Sequence, residues 1–302
     1  MRTRSHLPQT VKFLIIGVVL SLLYACQAVP AEPQNTAVVT ETVTPTLVPE
    51  QPTATTAVEV LAQRCNESGT LASYSIESDL LRDTLAFTVY LPPCYDPQTA
   101  EPYAVIYLLH GQQQDGPFWQ ELGIQAAADE LILGHNRQPF LIIMPVEEYY
   151  FRSPLNNRYP DAILTELLPW VEQNLPVCSA RDCRAIGGVS RGAAWAVRLA
   201  FANPETFSAL GAHSLPLFNG DLEVLPEWIE AIPSEEMPRI YADVGNTDPA
   251  VKDAYAFEEA LNALGVEHEW HLNSGRHNEE YWKTQLPAYL DWYTHLWIEE
   301  IN

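Results

Sequence analysis

The feature that most limits the fold of this chain is the segment Gly-Val-Ser-Arg-Gly at 188–192. It follows a short apolar run at 185–187 and opens a second apolar stretch, so the local pattern is strand, sharp turn and helix. A glycine on each side of Ser190 lets the backbone turn tightly enough to lift the hydroxyl above a sheet. The pattern predicts Ser190 as a nucleophile. Because such a pentapeptide also arises by chance, the prediction depends on the rest of the chain.

The remainder of the chain alternates strand-like apolar runs with segments of helical length. This alternation predicts an α/β fold, with a mostly parallel central sheet and helices on both faces. Roughly 240 residues follow the N-terminal segments, enough for one sizeable core. Strands are predicted at 85–90, 103–109, 140–145, 210–213, 238–245 and 267–273. Helices are predicted at 119–134, 161–175 and 251–264. Two further helices are predicted, one directly after Ser190 and one near the C-terminus.

A carboxylate and a histidine follow two later strands. Asp248 lies in the loop after strand 238–245, and His277 lies in the loop after strand 267–273. The order serine, aspartate, histidine is that of α/β-hydrolases, so these residues are predicted as orienting acid and general base. Asp243 is the alternative acid, but it lies within a strand, whereas the acid must reach over the strand's end. Four other histidines are predicted to pack or to support loops: His110, His268, His271 and His295.

The strand at 103–109 runs into His110-Gly111-Gln112. In α/β-hydrolases the corresponding loop donates one backbone N–H to the oxyanion, and the residue after the nucleophile donates another. The predicted donors are the N–H groups of Gln112 and Arg191. Between Ser190 and Asp248 there are too few residues for a large cap domain, so an open pocket shaped by short loops is expected.

Several of these motifs resemble those of the esterase D family of α/β-hydrolases, over roughly residues 65–300. Relatives in that family include feruloyl esterases, enterochelin-type esterases, S-formylglutathione hydrolases and mycolyltransferases. The resemblance implies an α/β-hydrolase fold and a serine esterase. The motifs are Tyr-Leu-Leu-His-Gly at 107–111, Gly-Val-Ser-Arg-Gly at 188–192, Gly-Asn-Thr-Asp at 245–248 and Gly-Arg-His at 275–277, with Trp282 following.

Two positions depart from the pattern of that family. Many relatives have Met or Gln where this chain has Arg191, and Gly where it has Ala193. Arg191 is predicted either to place a cation beside the nucleophile, favouring anionic or polar substrates, or to extend into solvent. Aromatic residues in loops are candidates for the pocket rim and substrate binding, with packing as the alternative: Trp119, Tyr149, Tyr150 and Phe151.

The predicted chemistry is ester hydrolysis through an acyl-enzyme. His277 takes the proton of Ser190 as the serine attacks, and Asp248 holds the imidazole in the required tautomer. Water releases the acyl group in a hydrolase and an alcohol releases it in an acyltransferase, which is one alternative. A catalytically silent, surface-binding lipoprotein is the other. No cofactor is expected, and the absence of a C-x-x-C pair or a histidine cluster argues against a metal site.

The N-terminus predicts export. Positive charges at Arg2, Arg4 and Lys12 precede an apolar run at 13–25 that has the length of a signal-peptide core. The residues Leu-Tyr-Ala-Cys ending at Cys26 resemble a bacterial lipobox, so 1–26 is predicted as a lipoprotein signal peptide, with cleavage after Ala28 as the alternative. A disordered Thr/Pro-rich linker is predicted at 27–60, and the catalytic domain at 61–302. The expected location is lipid-anchored on the bacterial surface, or secreted.

The remaining cysteines and the charge agree with an exported enzyme. Cys65 with Cys94, and Cys178 with Cys183, are predicted as two disulfides in an oxidising compartment. The formal net charge of -23 argues against nucleic acid as a partner and against electrostatic binding to anionic lipid. The expected partner is therefore a small-molecule or polysaccharide-linked ester, with membrane contact through the lipid alone.

Overall fold

A computed structural model describes residues 67–135 and 137–297. Within these residues, eight strands form one sheet. The strands are β1 (Thr70–Ser78), β2 (Asp83–Leu91), β3 (Ala104–Leu109), β4 (Phe140–Pro145), β5 (Arg184–Val189), β6 (Ala209–His213), β7 (Arg239–Gly245) and β8 (Glu269–Asn273). The α-helices are α1 (Phe118–Glu121), α2 (Ile124–Asp129), α3 (Tyr159–Ala162), α4 (Leu168–Asn174), α5 (Arg191–Ala202), α6 (Asp221–Ala231), α7 (Val251–Ala263) and α8 (Glu279–Thr294).

The sheet has the order β1-β2-β4-β3-β5-β6-β7-β8. β2 pairs antiparallel with β1 and with β4, and the pairs from β4 through β8 are parallel. From β3 the chain passes to β4 on one side, and from β4 it returns to β5 on the other side of β3. The sheet order therefore reverses its direction between β3 and β5, and ligands of open α/β sheets bind at the carboxyl ends of the strands beside such a switch point.

Helices cover both faces of the sheet, as predicted. One apolar cluster joins the sheet to α3 through α7, and a second joins it to α1, α2 and α8. All six residues of β4 are buried, as expected for a strand covered on both faces. The predicted α/β fold without a large cap domain is confirmed, since α6 is the one α-helix between β6 and β7 in this described part of the chain.

Two predicted helices are interrupted. The segment predicted as one helix at 119–134 contains α1, α2 and a π-helical turn at Glu130–Gly134. Gly123 separates α1 from α2 with φ 89°, a left-handed conformation that glycine adopts without steric cost. The segment 161–175 is likewise divided by a π-helical turn at Ile163–Leu167.

The predicted disulfide between Cys178 and Cys183 is present. It closes a short loop immediately before β5, and the loop-entropy model assigns such a loop about 2 kcal/mol of stabilisation. The predicted pair of Cys65 with Cys94 involves Cys65, which lies outside the described residues. The same holds for Cys26, the signal peptide at 1–26 and the linker at 27–60. Across the described ranges, no helix combines the length and apolar character needed to cross a bilayer.

Gly192, at the start of α5, allows that helix to approach β3 closely. A Cβ at this position would lie 2.3 Å from the carbonyl oxygen of Leu109 and 2.6 Å from that of His110. Both obstacles are backbone atoms, so the helix or the loop after β3 would have to move. We expect Gly192→Ala to lower the free energy of unfolding by about 3 kcal/mol, measured by denaturant titration.

Gly116→Ala is the matched control for this prediction. A Cβ on Gly116 would meet Val146 at 3.6 Å, which is an ordinary contact. Its unfolding free energy should stay within about 0.5 kcal/mol of the wild type. Equal stabilities for the two variants would show that α5 does not depend on the glycine at 192.

Candidate active site

Ser190 lies on a strained turn between β5 and α5. Its φ of 54° and ψ of -127° are rarely adopted by residues with a side chain, and a backbone of this kind costs about 1–3 kcal/mol. Hydrogen bonds hold it there: the N–H of Ser190 donates to the carbonyl of His213 at 2.9 Å, and the N–H of Ala194 donates to the carbonyl of Ser190 at 3.2 Å. The turn leaves the Ser190 side chain partly exposed at the end of the sheet.

The three side chains predicted from the sequence lie in one hydrogen-bonded chain. His277 Nε2 lies 2.8 Å from Ser190 Oγ. His277 Nδ1 lies 2.9 Å from each carboxylate oxygen of Asp248. A carboxylate can only accept here, so Nδ1 carries the ring proton and Nε2 is free to accept the proton of the serine. This arrangement can generate an activated alkoxide at Ser190.

Asp248 is held as a carboxylate by its surroundings. Burial raises its pKa, but hydrogen bonds from His277, from the N–H of Ala250 at 2.7 Å and from Ser214 outweigh burial, and the net pKa is lowered. Because a lowered pKa favours the ionised form in the folded state, its contribution to stability is present at neutral pH and is lost as the pH falls through the lowered pKa. Asp248 is therefore ionised at neutral pH.

Two further residues support this chain of side chains. The indole of Trp282 packs edge-on against the His277 ring, with centroids 5.1 Å apart. Its Nε1 donates to Ser214 Oγ at 3.0 Å, and Ser214 is fully buried after β6. Ser214 was not among the residues predicted from the sequence, although its position just after β6, a parallel strand beside β5, was a usable signal.

Asp243, the alternative acid, lies in a different cluster. It is fully buried in β7, and its Oδ1 lies 2.7 Å from His213 Nδ1. Its Oδ2 accepts hydrogen bonds from the hydroxyls of Tyr281 at 2.6 Å and Tyr289 at 2.8 Å. These partners occupy both oxygens, so Asp243 has a structural role.

The remaining histidine candidates are also engaged elsewhere. His268 Nδ1 lies 2.8 Å from the carbonyl of Val266, and the His271 ring stacks on Tyr241. His295 is exposed in the 3-10 turn His295–Trp297. None of these three contacts the Ser190 hydroxyl among the hydrogen bonds of the described segments.

The loop after β3 lies against the nucleophile. A Cβ on Gly111 would lie 3.2 Å from the Cβ of Ser190, so the bare backbone allows the close approach. The N–H of Gly111 donates to Gln114 Oε1 at 2.8 Å, which closes the turn. Gln112 follows in this turn, and Arg191 is the first residue of α5, whose N–H has no intrahelical acceptor. One predicted oxyanion donor, Arg191, thus directly follows Ser190, and the other, Gln112, follows the glycine that lies against it.

The side chain of Arg191 does neither of the things predicted for it. Its guanidinium is buried and makes a bidentate ion pair with Glu147, with Nε and Nη2 each 2.8 Å from a carboxylate oxygen. The reason is the buried carboxylate of Glu147. Its ion pair holds the guanidinium inside the protein, away from solvent. Arg191 therefore supplies no free positive charge to the pocket.

The prediction of Trp119 as a residue of the pocket rim is wrong. Trp119 is 2% exposed and packs edge-on against Phe118 in the core, so it cannot line an open pocket. Tyr149 is half-buried, and its hydroxyl donates a hydrogen bond to Asp83 Oδ2 at 2.5 Å. Phe151 remains accessible, with 71% of its surface exposed, and lies in ring contact with Tyr149 and Tyr150.

No group of three or more His, Cys, Asp or Glu side chains in the described portion could hold a metal ion.

A nucleophile on a strand-to-helix turn, at the switch point of a mostly parallel sheet, defines the α/β-hydrolase class. A family model described as "Putative esterase" matches residues 78–293, and the chain belongs to that family. Two esterases of Mycobacterium tuberculosis, Esterase MT1326 and Esterase Rv1288, are each 26% identical over 242 residues, covering 63% of this chain and 51% of theirs. The chain thus spans about half the length of these curated relatives.

Solved structures agree with the fold. A ferulic acid esterase matches with a TM-score of 0.67 and 23% identity, over 76% of this chain and 100% of its own. The S-formylglutathione hydrolase of Staphylococcus aureus matches with a TM-score of 0.63 and 20% identity, over 76% of this chain and 100% of its own. These neighbours show that the chain has the α/β-hydrolase fold, and the family that it belongs to is one of esterases.

Proposed function

We propose that the protein is a serine carboxylic-ester hydrolase that works through an acyl-enzyme. The observation that carries the proposal is the continuous hydrogen bonding from Ser190 through His277 to Asp248, at 2.8 and 2.9 Å. Membership of an esterase family supports a carboxylic ester as the bond that is broken, and the geometry supports the role proposed for each side chain.

In the first half-reaction, Ser190 Oγ attacks the ester carbonyl while His277 Nε2 takes its proton. The carbonyl oxygen becomes an oxyanion, which accepts hydrogen bonds from the N–H groups of Gln112 and Arg191. His277 then gives the proton to the leaving alcohol, and the acyl group stays on Ser190. Asp248 stabilises the imidazolium throughout by accepting from Nδ1.

In the second half-reaction, a water molecule replaces the alcohol. His277 removes a proton from the water as it attacks the acyl-enzyme, and Ser190 recovers its proton as the acid leaves. Water is the favoured acceptor because Ser190 and His277 are both partly open to solvent. The substrate class proposed is a small-molecule or polysaccharide-linked carboxylic ester, and the chain is proposed to act after export, anchored through a lipid on Cys26.

The experiment is turnover of p-nitrophenyl acetate and methyl ferulate by the purified protein, with and without added alcohol. A hydrolase should release free acid as the main product even in the presence of the alcohol. A predominance of the new ester would identify an acyltransferase. A folded protein that turns over neither substrate and leaves a fluorophosphonate unreacted would support a silent binding protein.

The proposed lipid anchor has its own test. Cells that express the protein should incorporate labelled palmitate into it, and the Cys26→Ser variant should not carry the label.

A further inference from the structure

Glu147, just after β4, has a buried carboxylate that accepts four hydrogen bonds. Its side chain is 3% exposed. Beyond the two bonds from Arg191, Trp195 Nε1 donates to Oε2 at 2.9 Å and Asn157 Nδ2 donates to Oε1 at 2.6 Å. Four donors on two oxygens fix the carboxylate in one position, and nothing in the hydrolytic steps above uses this group.

The backbone of Glu147 holds the loop after β3 through His110. The N–H of Glu147 donates to His110 Nε2 at 2.8 Å, so that nitrogen must be an acceptor. The proton of the neutral ring is then on Nδ1, which lies 2.7 Å from the carbonyl oxygen of Gly111 and donates to it. Burial lowers the pKa of His110, although the Gly111 carbonyl and the Glu147 charge act in the opposite direction. The neutral tautomer that this geometry requires is therefore favoured.

The hydrogen bond to the Gly111 carbonyl has a geometric consequence for Gln112. The peptide that joins Gly111 to Gln112 is planar and trans, so its C=O and its N–H point in opposite directions. By holding the carbonyl, His110 also sets the direction of the Gln112 N–H. The side chain of Glu147 meanwhile holds Arg191, whose own N–H is the second predicted oxyanion donor.

We propose that Glu147 is a positioning residue that sets the two halves of the oxyanion hole relative to each other, through His110 on one side and Arg191 on the other. The inference rests on the proposed function, because it concerns the oxyanion of that reaction. It also explains why the side chain of Arg191 points inward. This chain has Arg at position 191, where many family members have Met or Gln, and the arginine pairs with Glu147, 44 residues earlier.

The test compares an ester with the thionoester of the same acid and alcohol, using the purified wild type and Glu147→Gln. A thiocarbonyl sulfur accepts hydrogen bonds weakly, so its hydrolysis gains little from a well-aligned oxyanion hole. Glu147→Gln should lower kcat for the ester about tenfold to a hundredfold with little change in KM. The thionoester should lose much less, so the ester-to-thionoester ratio of kcat should fall by about tenfold.

Two further variants make the result interpretable. Glu147→Gln/Arg191→Met removes both charges, so no buried charge is left unpaired if the single variant folds poorly. Asp221→Asn is the matched control, because Asp221 is also buried and pairs with an arginine of α5, Arg198, about two turns further along. The double variant should show the lowered ratio, and the control should lose thermal stability with its ratio unchanged.

The outcomes separate the inference from the proposed function. Equal losses of kcat on both substrates in the Glu147 variants, with an unchanged ratio, would overturn the positioning role and leave a structural one. A ratio lowered as much by Asp221→Asn would overturn it as well. Failure of the wild type to hydrolyse the ester at all would refute the proposed function, and the inference with it.

Discussion

Ser190→Ala is expected to lower kcat for ester hydrolysis by about 10⁶-fold, the effect of removing the nucleophile in serine hydrolases of this kind. The reason is that Ser190 Oγ lies 2.8 Å from His277 Nε2, and within residues 67–135 and 137–297 no other hydroxyl makes this hydrogen bond. The fold should be retained, because the turn is held by the backbone bonds of residue 190 rather than by its side chain. The loss of kcat is measured from initial rates on p-nitrophenyl acetate. Thermal unfolding of the same sample shows whether the fold is retained.

Ser208→Ala is the control for that variant. Ser208 is a buried serine whose hydroxyl donates to the carbonyl of Arg184 at 3.2 Å, at the opposite end of β5 from Ser190. Its kcat should equal that of the wild type. Full activity of Ser190→Ala, in a sample free of wild-type enzyme, would mean that the hydrolysis occurs elsewhere on the protein.

Asp248→Asn is expected to lower kcat by about 10⁴-fold, the size found when the acid of a catalytic triad becomes an amide. The amide nitrogen of Asn would donate to His277 Nδ1, so the ring proton would move to Nε2. Nε2 would then present a proton to Ser190 Oγ and could not accept one. Steady-state kcat across the pH range, normalised to the concentration of folded protein, is the measurement.

Asp243→Asn is the informative comparison, because both carboxylates are buried and both face a histidine. Asp243 contacts His213 and two tyrosine hydroxyls, so its amide variant should unfold at a lower temperature. The kcat of the folded fraction should stay within a few-fold of the wild type. A greater loss of kcat in Asp243→Asn than in Asp248→Asn would reverse the assignment of the acid.

Local sequence patterns were enough to predict most of the fold and the positions of the three candidate catalytic side chains. Ser190, Asp248 and His277 each follow a strand, and parallel strands bring their carboxyl ends to one edge. The alternation of apolar runs was therefore enough to predict that these residues meet. Gly111 could be placed for the same reason, since it lies two residues after β3, the strand next to β5.

Side-chain contacts between distant segments could not be predicted in this way. The pairing of Glu147 with Arg191 depends on how the loop after β4 lies against the start of α5, 44 residues later in the chain, and no periodicity encodes it. Trp119 carries no local sign that it faces the core, because an aromatic residue suits a pocket rim equally well. The predictions for Arg191 and Trp119 were therefore wrong because both depend on packing between segments that are distant in the chain.

The most direct test of the central claim is labelling of the purified protein with a fluorophosphonate, followed by peptide mass mapping. A fluorophosphonate reacts with an activated serine, so it reports whether His277 and Asp248 activate Ser190 without any assumption about the natural substrate. We predict one adduct per chain, located on Ser190, with loss of esterase activity in proportion to labelling. A folded protein that hydrolyses esters while Ser190 remains unlabelled, or that carries its adduct on another residue, would contradict the proposed mechanism.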